Sequence, residues 1–220
     1  SLVGSEMCIR DRPIPGGNTG VQMAGWFNRE INALDDLKGL KMRIPGMGGE
    51  VFEKAGVTAI NIPGNEIFTS MQTGVIDATE WSSPSVNLPS GFHKIAKYII
   101  MPGVHQPGAV QECPINLDAW NRISKEDQAL VKLAGRLMVM ESWIRYAYHD
   151  IDALAKMRAH GNEFVKLDPA FIKAAHKAAA EWSDQQAAEN PWFKRALDNR
   201  RKFQKALREN WNFFRFPIGM

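Results

Sequence analysis

Cysteine is scarce in this 220-residue chain, with two only, Cys8 and Cys113. Two cysteines build neither a disulfide framework nor a cysteine-based zinc site. Long apolar runs are missing too: none approaches the roughly 20 residues a helix needs to cross a bilayer. Charge of one sign is nearly absent, 27 Lys and Arg standing against 24 Asp and Glu for a net +3. So small an excess points to no nucleic acid or other polyanion. The five histidines, at 93, 105, 149, 160 and 176, form neither HExxH nor HxH, which removes support for a zinc hydrolase. No serine sits in a GxSxG setting, and Cys113 has no activating base nearby in sequence. Gly46-Met-Gly-Gly49 offers free N–H groups to an anion but lacks the Lys-Ser/Thr of a P-loop and the spacing of a dinucleotide fingerprint. What is present is globular: 45% hydrophobic residues, and a length that suits one large domain or two small ones.

The opening string 1–12, SLVGSEMCIRDR, has no helical or strand period and too short an apolar stretch for a signal peptide. It resembles translated sequencing-adapter sequence, so residues 1–12 are expected to be non-native or disordered and the native chain to begin near Pro13. Cys113 is then a lone cysteine, and such residues are most often small buried hydrophobes.

From Gly16 to about Asn116, short apolar runs alternate with Gly and Pro. Leu40–Ile44, Val57–Ile60, Val75–Ala78, Lys97–Met101 and Ala109–Asn116 read as strands. Gly48–Ala55 and a segment from Pro63-Gly64-Asn65 to Gln72 read as short helices. The alternation predicts βαβ units and a mostly parallel sheet, whose ligands gather at the carboxyl ends of the strands. Beyond Ser124, whose Ser-Lys-Glu-Asp run is a near capping box, apolar residues at 130, 133, 134, 137, 140, 144, 147, 151 and 154 keep a 3.6-residue period. They predict one long amphipathic helix to about His160. Phe164–Leu167 reads as a short strand, and two further helices follow over 170–190 and 192–213. The expected organisation is therefore an α/β lobe over 13–123, a long helix over 124–160, and a short strand with C-terminal helices over 161–220.

Five residues stand out chemically. Arg43 ends an apolar strand before a Pro-Gly turn, and its planar fork can grip a carboxylate bidentately, as Lys cannot. The alternative is an arginine paired to a structural acid. Glu80 could be a hard oxygen ligand for a cation, or an ordinary surface acid. Trp81 supplies a flat apolar wall and a main-chain carbonyl. Gln22 could lend an amide oxygen to the same cation, or be a satisfied strand residue. Glu112 lies inside the apolar run AVQECPIN, where an acid is unusual unless the strand is an exposed edge. The last thirty residues hold eight Lys and Arg against two acids, interleaved with aromatics. An amphipathic helix packing its aromatics on the body or on another subunit accounts for them better than nucleic-acid or lipid binding, since no stacking-platform fold accompanies the patch.

Taken together, GNTGVQMAGWF, DLKGLKMRIPGMGGEVFEKAG and NIPGNEIFTSMQTGVIDATEW resemble the solute receptors of tripartite ATP-independent periplasmic (TRAP) transporters. The resemblance covers about residues 13–216, with LKMRIPG and GVIDATEW its specific parts, and is greatest to the branch binding 2-oxo or 2-hydroxy monocarboxylates with a metal ion. The resemblance implies a periplasmic-binding-protein-like α/β fold of two lobes around a cleft, tied by a long spanning helix. This chain would hold the second lobe, the spanning helix and the C-terminal helices, with the N-terminal lobe and signal largely missing. It further implies that Arg43 salt-bridges the ligand carboxylate. Gln22, Glu80 and the carbonyl of Trp81 would hold Na⁺ or Ca²⁺ against the substrate, with Glu112 completing the shell. Ser82-Ser83-Pro84 departs from the Gly and Tyr-containing loop of the oxo-acid branch, which leaves the ligand's identity open.

The function so implied is a periplasmic receptor, not an enzyme. It would deliver a small organic acid to TRAP membrane permease subunits, with no nucleic-acid partner and a homodimer formed through the C-terminal helix. The alternative is a metal-dependent enzyme on a small carboxylic acid, with Glu80 or Glu112 as general base.

Overall fold

The computed structural model describes residues 10–214, which fall into two compact units divided between Ile172 and Lys173. The first unit is built on a six-stranded sheet. Its strands are β2 (Gly25–Phe27), β3 (Lys41–Arg43), β4 (Thr58–Ile60), β5 (Ala78–Thr79), β6 (Tyr98–Met101) and β8 (Glu163–Lys166), in the order β4-β3-β5-β2-β6-β8. β3 is parallel to β4 and β5, and β6 is parallel to β8. β2 alone runs antiparallel, between β5 and β6. The carboxyl ends of β3, β5 and β6 and the entry into β2 therefore share one edge of the sheet. Gly25, at φ +149°, makes this insertion feasible, because a Cβ there would lie 2.5 Å from the carbonyl oxygen of Thr79. Three residues, all buried, give β2 no alternation to read in the sequence.

Short helices connect the strands: α1 (Gly46–Glu53), α2 (Ile67–Gln72), α3 (Pro84–Asn87) and α4 (Leu117–Arg122). The third predicted strand shifts from Val75–Ala78 to Ala78–Thr79, since the ladder sets Met42 against Ala78 and Arg43 against Thr79. The core gathers Met23, Trp26, Ile67, Met71, Ile76, Phe92 and Ile99 around Ala153 and Met157 of the long helix. Full burial of such a side chain is worth about 1.5–3 kcal/mol relative to exposure.

β1 (Asp11–Asn18) and β7 (Val110–Asn116) form a separate antiparallel ribbon, with a register shift between Pro15 and Gly17. β1 was not anticipated, and it takes in the end of the adapter-like string: Asp11 pairs with Asn116 and Arg12 with Ile115. Residues 1–9, the rest of that string and Cys8 with it, lie outside the described residues. Cys113 is exposed on β7, not buried as expected, because the ribbon has solvent on that face.

The long helix α5 runs Lys125–His160, against a predicted 124–160, and at 1.5 Å per residue it is about 54 Å long. Ser124 caps it, accepting from the amide of Asp127 at 3.0 Å while its hydroxyl donates to the Asp127 carboxylate at 2.9 Å. Gly161, at φ +98°, ends it in the left-handed conformation. Its predicted apolar stripe is not what it buries. Leu130, Leu133, Leu137, Met140, Ile144 and Ile151 are exposed, whereas Gln128, Gly135, Ala153 and Met157 are buried. The reason is a close approach on another face: a Cβ on Gly135 would sit 2.5 Å from Ile14 Cγ2, so the helix lies directly on β1.

α6 (Pro169–Glu189) leads into the second unit, and α7 (Pro191–Phe214) completes it. Asn190 caps α7, its side-chain oxygen accepting from the amides of Trp192 and Phe193. Arg201 pairs with Asp184 at 2.6 Å, and Trp182 meets Phe193 edge-on. Trp192, Phe203 and Trp211 of α7 are exposed. Among the described residues, no helix is long and apolar enough to cross a membrane.

Candidate functional site

Arg43 is the last residue of β3, and Glu80 follows β5 directly, so the parallel register that pairs Arg43 with Thr79 brings the two side chains together. Arg43 Nη1 donates to Glu80 Oε1 at 2.6 Å and to the Glu80 carbonyl at 3.2 Å, while the Glu80 amide donates to the Arg43 carbonyl at 3.2 Å. The pair is desolvated, with the Arg43 side chain 12% exposed and that of Glu80 6%. The Thr79 hydroxyl donates to the same Glu80 carbonyl at 2.9 Å, which fixes the turn out of β5.

Trp81 forms one wall. The Arg43 guanidinium lies 5.3 Å from its ring centroid, and Phe92 meets the indole edge-on at 6.4 Å. Gly64 is needed beneath it, because a Cβ there would come within 2.6 Å of Trp81 Cη2.

Gln22 reaches this edge through the segment entering β2. The Met23 amide donates to the Ser82 carbonyl at 3.4 Å, which sets Gln22 beside the 80–82 turn. Gly103 N–H donates to the Gln22 carbonyl at 2.8 Å, and the Gln22 N–H to the Gln106 carbonyl at 3.3 Å. Gln22 is 4% exposed, and its side-chain oxygen is buried without a hydrogen-bond partner. Arg43 Nε is likewise buried and unpartnered.

Glu112 is not brought to this group. It is exposed on β7 opposite Pro15, because β7 pairs with β1 instead of extending the main sheet, and it makes none of the contacts that join the cluster. His105, which the sequence leaves among scattered histidines, does join it. Its Nε2 lies 3.4 Å from Glu80 Oε2, its side chain is 6% exposed, and its ring meets Phe52 edge-on. The cue was available: His105 follows strand KYIIM and a Pro-Gly pair at the carboxyl edge, the same setting that marks Arg43.

One carboxylate and one orphaned amide oxygen make a hard-oxygen donor set, which fits an Na⁺ or Ca²⁺ ion and not a soft metal. Among the described residues, no group of three or more His, Cys, Asp or Glu could hold a metal ion, so neutral oxygens would have to complete any such shell.

A buried arginine fork beside oxygen donors thus stands at the carboxyl edge of a mostly parallel sheet, where α/β folds place their ligands. The chain belongs to the bacterial extracellular solute-binding proteins, family 7 (DctP), whose family model matches residues 14–190. It is 36% identical over 193 residues to a monocarboxylate 2-oxoacid-binding periplasmic protein of a Nostoc species, covering 88% of this chain and 53% of that one. Among solved structures it is similar to a TRAP transporter solute-binding protein of Bordetella bronchiseptica, a mixed-occupancy dimer with calcium and picolinate (TM-score 0.88, 31% identity). It is also similar to a TRAP periplasmic solute-binding protein of Pseudoalteromonas atlantica with sodium and pyruvate (TM-score 0.85, 32% identity). Each match covers 97% of this chain and 65% of the solved chain. The chain thus spans about half the length of the curated relative and about two thirds of the solved ones.

Proposed function

We propose that the protein is a periplasmic receptor that binds a small 2-oxo or 2-hydroxy monocarboxylate and delivers it to the membrane subunits of a TRAP transporter. The observation that carries this reading is Arg43: a desolvated guanidinium, backed by Trp81 and tied to Glu80, with its Nε buried and unpartnered. Such a fork binds a carboxylate bidentately and with more than the strength of a neutral hydrogen bond. Gln22 Oε1, the Glu80 carboxylate and the Trp81 carbonyl would hold an Na⁺ or Ca²⁺ ion. That ion would supply a second positive centre for an oxygen on the acid's second carbon. The calcium and picolinate bound to one solved relative, and the sodium and pyruvate bound to the other, support this reading.

On the same reading the fold is two-lobed, and the apolar stripe of α5 faces the other lobe. The exposed aromatics of α7 support a homodimer formed through that helix. We read the protein as a receptor and not an enzyme, in keeping with the solute-binding family to which the chain belongs.

Isothermal titration with pyruvate tests the reading. Saturable binding is expected in calcium chloride, weakened at least about tenfold when Na⁺ and divalent ions are stripped out, a change of about 1.4 kcal/mol. Pyruvate affinity indifferent to the cation would leave Glu80 a structural acid, and its retention in Arg43→Ala would sink the assignment of Arg43.

A further inference from the structure

We infer that His105 is a binding residue of this site, its imidazole N–H serving beside Arg43 as a second hydrogen-bond donor to the oxygens of the bound acid. The inference rests on the reading that Arg43 binds a carboxylate. Three observations carry it.

The first is burial without satisfaction. The His105 side chain is 6% exposed, yet neither ring nitrogen has a hydrogen-bond partner. A neutral imidazole carries one donor and one acceptor, and buried polar atoms are satisfied in the great majority of cases. At 3.4 Å, Glu80 Oε2 is near Nε2 without completing a hydrogen bond, and it can do nothing for Nδ1.

The second is aim. The Glu80 carboxylate stands between Arg43, 2.6 Å from Oε1, and His105, 3.4 Å from Oε2. The guanidinium and the imidazole thus flank the two oxygens of one carboxylate, at the same edge of the sheet.

The third is rigidity. The imidazole meets the Phe52 ring edge-on at 6.3 Å, and Phe52 meets Phe171 at the same separation, so the ring packs against an aromatic pair. The loop that carries His105 is pinned as well. Gly103 donates to the Gln22 carbonyl, and a Cβ on it would lie 2.5 Å from that oxygen, so the loop has no room to slide. Gln22, Arg43 and His105, each with a buried unpartnered atom, are thus held on one sheet edge by three separate segments.

The test is calorimetry of pyruvate and propionate, in calcium chloride, with the wild-type protein, His105→Phe and His105→Gln. Thermal melts without ligand check that the variants fold. His105→Phe should weaken pyruvate binding at least about tenfold, and His105→Gln, whose amide N–H can stand in for Nε2–H, should stay within about threefold of wild type. The imidazole nitrogen resonances of wild-type His105 should shift when pyruvate is added. A loss shared by propionate assigns the contact to the carboxylate, and a loss confined to pyruvate assigns it to the 2-oxo oxygen; either supports the inference. Wild-type affinity in His105→Phe, with binding lost in Arg43→Ala, overturns the role of His105 while the receptor reading stands. If His105→Phe does not fold, resonances unmoved by pyruvate overturn it instead. No binding of pyruvate by the wild-type protein would remove the receptor reading and this inference together.

Discussion

Removing Arg43 should destabilise the protein as well as its ligand complex. Arg43 and Glu80 meet at 2.6 Å with side chains 12% and 6% exposed, so Arg43→Ala leaves a carboxylate buried beside the unpartnered ring of His105. Deleting one partner of a buried ion pair costs about 3–5 kcal/mol, because the survivor is uncompensated, whereas replacing both by neutral groups of similar size is near neutral. That loss is a large share of the roughly 5–15 kcal/mol that holds a typical domain folded. At an m-value of about 2 kcal/mol/M, it moves the urea midpoint down by about 1.5–2.5 M. Glu80→Gln combined with Arg43→Met removes both charges, and it should recover at least half of the shift. Urea titrations of wild type, Arg43→Ala, Arg43→Met, Glu80→Gln and the double variant, followed by far-ultraviolet circular dichroism, give the coupling directly. A midpoint for Arg43→Ala within about 0.3 M of wild type, roughly 0.5 kcal/mol, would refute the reasoning, since the pair would then behave as a solvated surface contact. So would a double variant no more stable than Arg43→Ala.

Two further outcomes follow from the same geometry. Gly64→Ala places a methyl group within 2.6 Å of Trp81 Cη2 and must push the indole off Arg43. The cation–π contact is worth about 0.5–2 kcal/mol, so pyruvate affinity should fall about two- to thirtyfold by calorimetry, and unchanged affinity would show that Trp81 does not back the guanidinium during binding. His93, which is outside the Arg43–Glu80–His105 cluster, is held below the ordinary histidine value of 6.5 by burial first, then by His160, which it meets edge-on, and by Lys94. The unfolded chain therefore takes up the proton first as pH falls, so stability is full above about pH 6.5 and declines below it. His93→Gln should flatten the fall in melting temperature between pH 7.5 and 5.5, and an unaltered slope would clear His93 of that role.

Much of the fold was legible because its signals are local. Arg43 and Glu80 could be singled out because each follows a short apolar run at a Gly or Pro boundary, where a parallel sheet presents its carboxyl ends. The helix Lys125–His160 announced itself by its period, its capping Ser124 and the terminating Gly161. Its buried face did not, since Gln128 and Gly135 carry no apolar signal, and the burial of Gly135 comes from the close approach of β1. β2 was unreadable for a related reason: three residues buried on both faces have no period, and the pairing of Trp26 with Thr79 on one side and Ile99 on the other is long-range. Glu112 was open between two readings, a ligand or an exposed strand edge, and only the long-range pairing of β7 with β1 shows that its side chain is exposed. His105 belongs to no motif in the sequence, because its partners stand at distant positions, 52 and 80.

The antiparallel course of β2 has a kinetic meaning. Arg43 and Glu80 are 37 residues apart, and the loop carrying His105 is locked to Gln22, more than twice that far away in the chain. No fragment of hairpin size contains the site, and every pairing that builds it must first close a long loop, which slows folding. The edge becomes competent only once β2 has been threaded between β5 and β6.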